Sequence, residues 1–136
     1  MKKLAALLEQ KWDGKRSYKI YAVDFDGTIA DGPPEHVMYK DGEIPIGNEK
    51  PGAIKALKGL QADGHIIILW TCRCGKDLEA AVAWLKKQSF VPDYVNKNDP
   101  GHSFIKGPKV FADEYWDDKS WPTFPGWDAV RQRLLK

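Results

Sequence analysis

Lys19-Ile20-Tyr21-Ala22-Val23-Asp24-Phe25-Asp26-Gly27-Thr28 runs from an apolar stretch straight into two carboxylates. Its first five residues are β-prone and mostly apolar, as in a strand buried on both faces. Asp24 stands at the end of that strand. Residues two apart at a strand end project to the same side. Asp24 and Asp26 are therefore expected above the sheet's carboxyl edge, where ligands bind in open α/β folds. Asp and Gly after a strand can also form an ordinary turn. Asp117-Asp118, closing the stretch Val110 to Trp116 that reads as another strand, argues for more than a turn. Close carboxylates repel unless a cation or a shared proton intervenes. Hard oxygen ligands of this kind suit Mg²⁺.

Working outward, Pro51 suits a helix start, with Ala53, Ala56, Leu57 and Leu60 on one face and Gly64 as the stop. His65 to Trp70 reads as a second buried strand. Leu78, Ala81, Val82 and Leu85 then recur at i, i+3, i+4 and i+7, as on one face of a helix. Asp93-Tyr94-Val95 fits a short third strand, 97–109 a polar loop, and Val110–Trp116 a fourth strand. Trp127, Val130 and Leu134 suggest a terminal helix. Leu4, Leu7, Leu8 and Trp12 suggest another over residues 3–12. Strands alternating with helices predict an α/β, Rossmann-like parallel sheet sandwiched by helices. The 136 residues fit a single domain, 1–136.

Hydrophobic residues make up 43% of the chain and charged residues 29%, an ordinary globular balance. A formal net charge of +2 gives no clear nucleic-acid footprint. The longest apolar run, Ile66 to Trp70, is too short to span a bilayer. Glu9, Gln10 and Lys11 follow the N-terminus too closely for a signal-peptide apolar core. Cys72 and Cys74 are too near in sequence for a disulfide, and reduced thiols in a cytoplasmic protein are expected. His36, His65 and His102 are scattered and expected on the surface or in loops. Trp70 and Trp84 fall at core positions. Trp116, Trp121 and Trp127 are expected to pack the C-terminal segment. Asp113, odd within a strand, is expected to make structural hydrogen bonds.

Three motifs in order carry a family resemblance. Asp24-Phe25-Asp26-Gly27-Thr28-Ile29 resembles the first signature of the haloacid dehalogenase (HAD)-like superfamily. Trp70-Thr71-Cys72-Arg73 resembles the second, and Ala112-Asp113-Glu114-Tyr115-Trp116-Asp117-Asp118-Lys119 the final acidic one. The wording is most similar to short, nearly capless bacterial and phage HAD hydrolases, over about residues 18–128. The resemblance implies a Mg²⁺-dependent phosphatase with a minimal cap. Asp24 would be the nucleophile, forming an aspartyl-phosphate, and Asp26 the acid/base. Thr71 and a lysine would hold the phosphoryl oxygens. Lys109 best matches the lysine, with Lys106 and Lys97 as rivals. Asp24, the Asp26 carbonyl and Asp117 would hold the metal, with Asp118 bound directly or through water. Arg73 would contact the substrate phosphate or pair with an acidic neighbour. Phosphotransfer to an acceptor other than water, or a non-catalytic Mg²⁺- and phosphate-binding partner module, are the alternatives.

Residues 30–50 are rich in Gly, Pro and charge and are expected to form a flap at the site's mouth. Its Val37, Met38, Tyr39, Ile44 and Ile46 are expected to pack on the domain and make a small hairpin. Contact with substrate or a second subunit is the alternative. A small cap leaves the site open to large phosphorylated substrates, or to small ones where a homo-oligomer covers the cleft.

Overall fold

The structure, a computed structural model, describes residues 16–34, 43–120 and 124–135. Its four strands are β1 (Ile20–Val23), β2 (Ile66–Leu69), β3 (Tyr94–Val95) and β4 (Glu114–Trp116). They form one parallel sheet in the order β3-β2-β1-β4. Helices α1 (Ala53–Ala62) and α2 (Gly75–Lys87) connect the first three strands, and α3 (Trp127–Leu134) follows the last. This is the α/β fold with a parallel sheet that the alternating pattern predicts. The helix expected at 3–12 lies outside the described residues.

All eight residues of β1 and β2 are buried. They pair in the register Ile20 to Ile66 through Val23 to Leu69. Alternation sends Tyr21, Val23, Ile67 and Leu69 to one face, where they meet the apolar sides of α1, α2 and α3. Ile20, Ala22, Ile66 and Ile68 point to the other. Each Val, Ile or Leu among them contributes about 1.5–3 kcal/mol on burial. The residues expected on the buried side of α1 (Ala53, Ala56, Leu57 and Leu60) are all buried. In α2, Ala81 and Leu85 are buried, while Leu78 and Val82 are partly so.

Handedness explains what covers the second face. From β1 to β2 to β3 the chain steps in one direction, so right-handed crossovers put α1 and α2 on the same side. From β3 to β4 it steps back past β1, and a right-handed connection must then cross the opposite face. Val110, Phe111 and Ala112 of that connection do pack there. The connection contains a single 3₁₀ turn, Pro100–His102, whose N-cap Asp99 accepts from the Gly101 N–H. Among the described residues, this irregular segment, read from the sequence as a polar loop, covers the face on which a sheet sandwiched by helices would carry a helix.

β4 is shorter than the strand expected over Val110–Trp116. The preceding residues use other partners. The Phe111 N–H donates to Asn98 Oδ1, and the Ala112 N–H to the Tyr115 hydroxyl, which itself donates to the Val110 carbonyl. Asp113 makes the structural bonds expected of it, accepting from the Ile20 N–H and from Arg16.

The flap begins and ends in a paired neck. The Asp31 N–H donates to the Asn48 carbonyl, and the Lys50 N–H to the Ile29 carbonyl. The two legs run so close that a Cβ on Gly47 would fall 2.4 Å from the Asp31 carbonyl oxygen. Ile46 packs on the core, as expected. Val37, Met38 and Tyr39 lie outside the described residues, as do His36 and Trp121.

Candidate functional site

The strand order reverses at β1, since the chain leaves it toward β2 on one side and returns as β4 on the other. Such a switch point opens a crevice outside the carboxyl ends of the two strands, where ligands bind in α/β sheets. Asp24 follows β1 directly and Asp117-Asp118 follow β4. The Asp24 N–H donates to the Trp116 carbonyl at 2.9 Å, fixing the two ends together.

Carboxylate oxygens of Asp24, Asp117 and Asp118 lie within 4.8 Å of one another, all three residues half-buried. Burial pushes the Asp24 carboxyl up from its usual 3.8 to about 8. The charges of Asp117, Asp118 and Asp26 push the same way, against a hydrogen bond from the Phe25 N–H. A cluster that resists ionisation in this way is one a divalent cation would relieve, and three hard oxygens suit Mg²⁺.

The turn after β1 is shaped to admit Asp118. Gly27 has φ +85°, and a Cβ there would fall 2.5 Å from Asp118 Oδ2. Only glycine meets both demands. The buried Thr28 hydroxyl accepts from the Asp118 N–H at 3.1 Å and donates to Asp118 Oδ1 at 3.4 Å. Trp127 of α3 donates its Nε1–H to the Thr28 carbonyl at 2.7 Å, tying the turn to the core. Asp117 Oδ1 accepts from the Lys119 N–H.

Asp26 does not join the cluster of carboxylates. Arg73 holds it through two parallel bonds, Nε–H to Oδ2 and Nη2–H to Oδ1, each 2.8 Å. The Arg73 side chain is 0% exposed. Its other donors reach the carbonyls of Ile44, Pro45 and Asp77. The guanidinium's five N–H donors are thus all engaged, and none is left for a substrate phosphate in this arrangement. Of the two roles the sequence left open for Arg73, the acidic pair is the one formed. Asp77 completes the clamp by accepting from the Ile44 N–H at 3.0 Å.

Thr71 follows β2 beside the site. Its hydroxyl oxygen accepts from the Arg73 N–H at 3.1 Å, which keeps the hydroxyl proton as a donor. Asn96, at the end of β3 with φ +51°, grips the Thr71 backbone at two points. It accepts from the Thr71 N–H at 2.9 Å and donates to the Thr71 carbonyl at 3.0 Å. Lys109 is exposed, its ammonium 4.7 Å from the centre of the Tyr115 ring in β4. Lys97 and Lys106, also exposed, together line a pocket whose lining does not include Lys109.

Cys72 and Cys74 are exposed free thiols. Trp116 and Trp127 pack the C-terminal segment as expected, edge to face at 5.9 Å. His102, expected on the surface or in a loop, lies in the loop's 3₁₀ turn and is buried there. It pairs with Asp99 at 2.8 Å and stacks on Phe111 at 4.3 Å, so the loop carries its own small core.

No model of a known protein family matches the chain, and no curated protein does. Among solved structures it is similar to a conserved protein coded by a locus of Bacteroides thetaiotaomicron, with a TM-score of 0.73. The two are 30% identical, and the match covers 88% of this chain and 91% of that one. The chain belongs to the family of that conserved protein. Membership in the family of the Bacteroides protein carries the fold, so the site must be argued from its own chemistry. Among the described residues, no helix is long and apolar enough to cross a membrane.

Proposed function

We propose that this chain is a Mg²⁺-dependent phosphate-ester hydrolase of the HAD-like type. The observation that carries the reading is the convergence of Asp24, Asp117 and Asp118 at the switch point. These three carboxylates would hold the cation. Bound there, Mg²⁺ would offset the charge of the nucleophile and the phosphate together.

Asp24 would attack phosphorus in line, forming an aspartyl-phosphate and releasing the alcohol. The Thr71 hydroxyl, which keeps its proton for a phosphoryl oxygen, supports this arrangement. Lys109 would supply the positive charge, reaching from the β4 side. Asp26 would protonate the leaving oxygen and then activate water. For that role its carboxylate must exchange Arg73 for the substrate, since both oxygens now accept from the guanidinium.

The same lock on Asp26 is the observation that favours the rival, a non-catalytic Mg²⁺- and phosphate-binding module. Turnover separates them. A panel of phosphate esters should be hydrolysed with Mg²⁺ and left intact in excess chelator. Hydroxylamine should trap the acyl phosphate on Asp24. Full activity in chelator would overturn the metal mechanism, and Mg²⁺ binding without turnover would establish the module.

A further inference from the structure

We propose that the pocket at the carboxyl end of β3 is a second anion subsite. On the phosphatase reading, on which this rests, the substrate is a phosphate ester carrying a second phosphate or carboxylate group. The pocket has a volume of about 430 Å³, within the range of small-ligand sites. Lys97 and Lys106 both line it, and no acidic residue does. Neither lysine has a carboxylate partner among the described residues. Two ammonium groups sharing one concavity repel each other and attract an anion.

Neutral donors stand beside them. Asn98 commits its Oδ1 to the Phe111 N–H at 2.6 Å, which turns its amide NH₂ into the free end. Ser103 adds a hydroxyl, and Ile105 and Val110 an apolar wall for a carbon chain. The loop that carries these groups is fastened by the buried Asp99–His102 pair and the stacking of His102 on Phe111. A wall held in this way is set before a ligand arrives, which lowers the cost of binding.

The pocket also continues the row that starts at Asp24. The Trp70 N–H bonds the Val23 carbonyl, so Asp24 and Thr71 leave neighbouring strand ends. Asn96 grips Thr71 and also lines the pocket. With strands about 4.8 Å apart, the ends of β1 and β3 are roughly 10 Å apart. That is the reach of a substrate with a phosphate at one end and an anion at the other.

The test compares hexyl phosphate, hexane-1,6-diol bisphosphate and 6-phosphohexanoate, hydrolysed by the full chain with Mg²⁺. The wild type should favour the two bis-anionic esters in kcat/KM by about tenfold or more, the scale of one charge-assisted hydrogen bond. Their ranking tells phosphate from carboxylate at the far end. The double variant Lys97→Ala with Lys106→Ala should lose that preference. Equal kcat/KM for all three esters in the wild type, or equal losses on all three in the double variant, would overturn the proposal. Calorimetry with hexane-1,6-bisphosphonate decides the pocket independently of turnover. Affinity should fall about tenfold or more in the double variant, and unchanged affinity would overturn the subsite. If the wild type hydrolyses none of the esters, the phosphatase reading fails while calorimetry still decides the pocket.

Discussion

Asp24 stands where burial and like charge act together, and both favour its protonated form. Replacing it with Asn keeps the shape and removes the attacking oxygen's charge. Asp24→Asn should lower turnover about a thousandfold or more, while the metal-free protein melts higher because repulsion is relieved. Steady-state kinetics and a thermal melt on one preparation check both. Near-normal turnover in the folded variant would remove Asp24 as the nucleophile. Arg73 has the opposite character, a buried cation whose donors all face acceptors. Lysine keeps the charge but lacks the planar fork. Arg73→Lys should therefore lower the urea midpoint, and Arg73→Ala, which leaves Asp26 without its partner, should lower it further, by about 3–5 kcal/mol in stability. An unchanged midpoint would show that the clamp does not contribute to stability.

At the scale of elements, the strands and helices were legible because apolar spacing matches their periods. Ile66–Leu69 and the Leu78–Leu85 face are examples. The acidic ends of β1 and β4 were legible as well, since each carboxylate follows a stretch that reads as a strand. Other features depend on tertiary partners that no local pattern encodes. Asp26 and Arg73 are far apart in sequence, and only the fold shows that they engage each other. Asn96 reads as one polar loop residue until β3 is placed beside β2. Its place straight after an apolar pair, followed by Lys97 and Asn98, was the available signal. His102 falls in a polar loop, and its burial comes from Phe111 and Asp99, which no local pattern marks as its partners. His102→Ala would leave Asp99 buried without its ring partner. The expected loss is about 3 kcal/mol in denaturant unfolding, and a loss below the measurement error would show that the loop is fastened elsewhere. In the flap, replacing Val37–Glu43 with a Gly/Ser linker should re-rank substrates with little change in melting temperature. Extending the replacement through Ile46 should lower the melt too, because Ile46 packs on the core. An unchanged ranking with a collapsed melt would make the flap purely structural.

For the whole molecule, the carboxyl held near 8 links stability to pH. The folded state takes up a proton that the unfolded chain, with its usual value, releases. That contribution is fully present below the unfolded value and is lost as pH rises toward 8. The metal-free protein should therefore melt lower at pH 8 than at pH 5.5. Mg²⁺ competes with protons for the same oxygens, so it should raise the melting temperature more at pH 8. A Mg²⁺-induced shift as large at pH 5.5 would argue against binding at Asp24.

The strand order also sets a sequence of events in biosynthesis. β1, β2 and β3 are consecutive in the chain and adjacent in the sheet, whereas β4 pairs back with β1 across the length of the domain. Because a chain emerges from the ribosome N-terminal end first, three strands can zip together before β4 has been made. The repelling aspartates are thus kept apart while most of the apolar core forms. They meet only when Trp116 and Trp127 seat the last strand. A chain stalled before residue 113 would hold the beginnings of a sheet and every residue that lines the pocket around β3, yet would have only one of the three carboxylates with which to grip a cation.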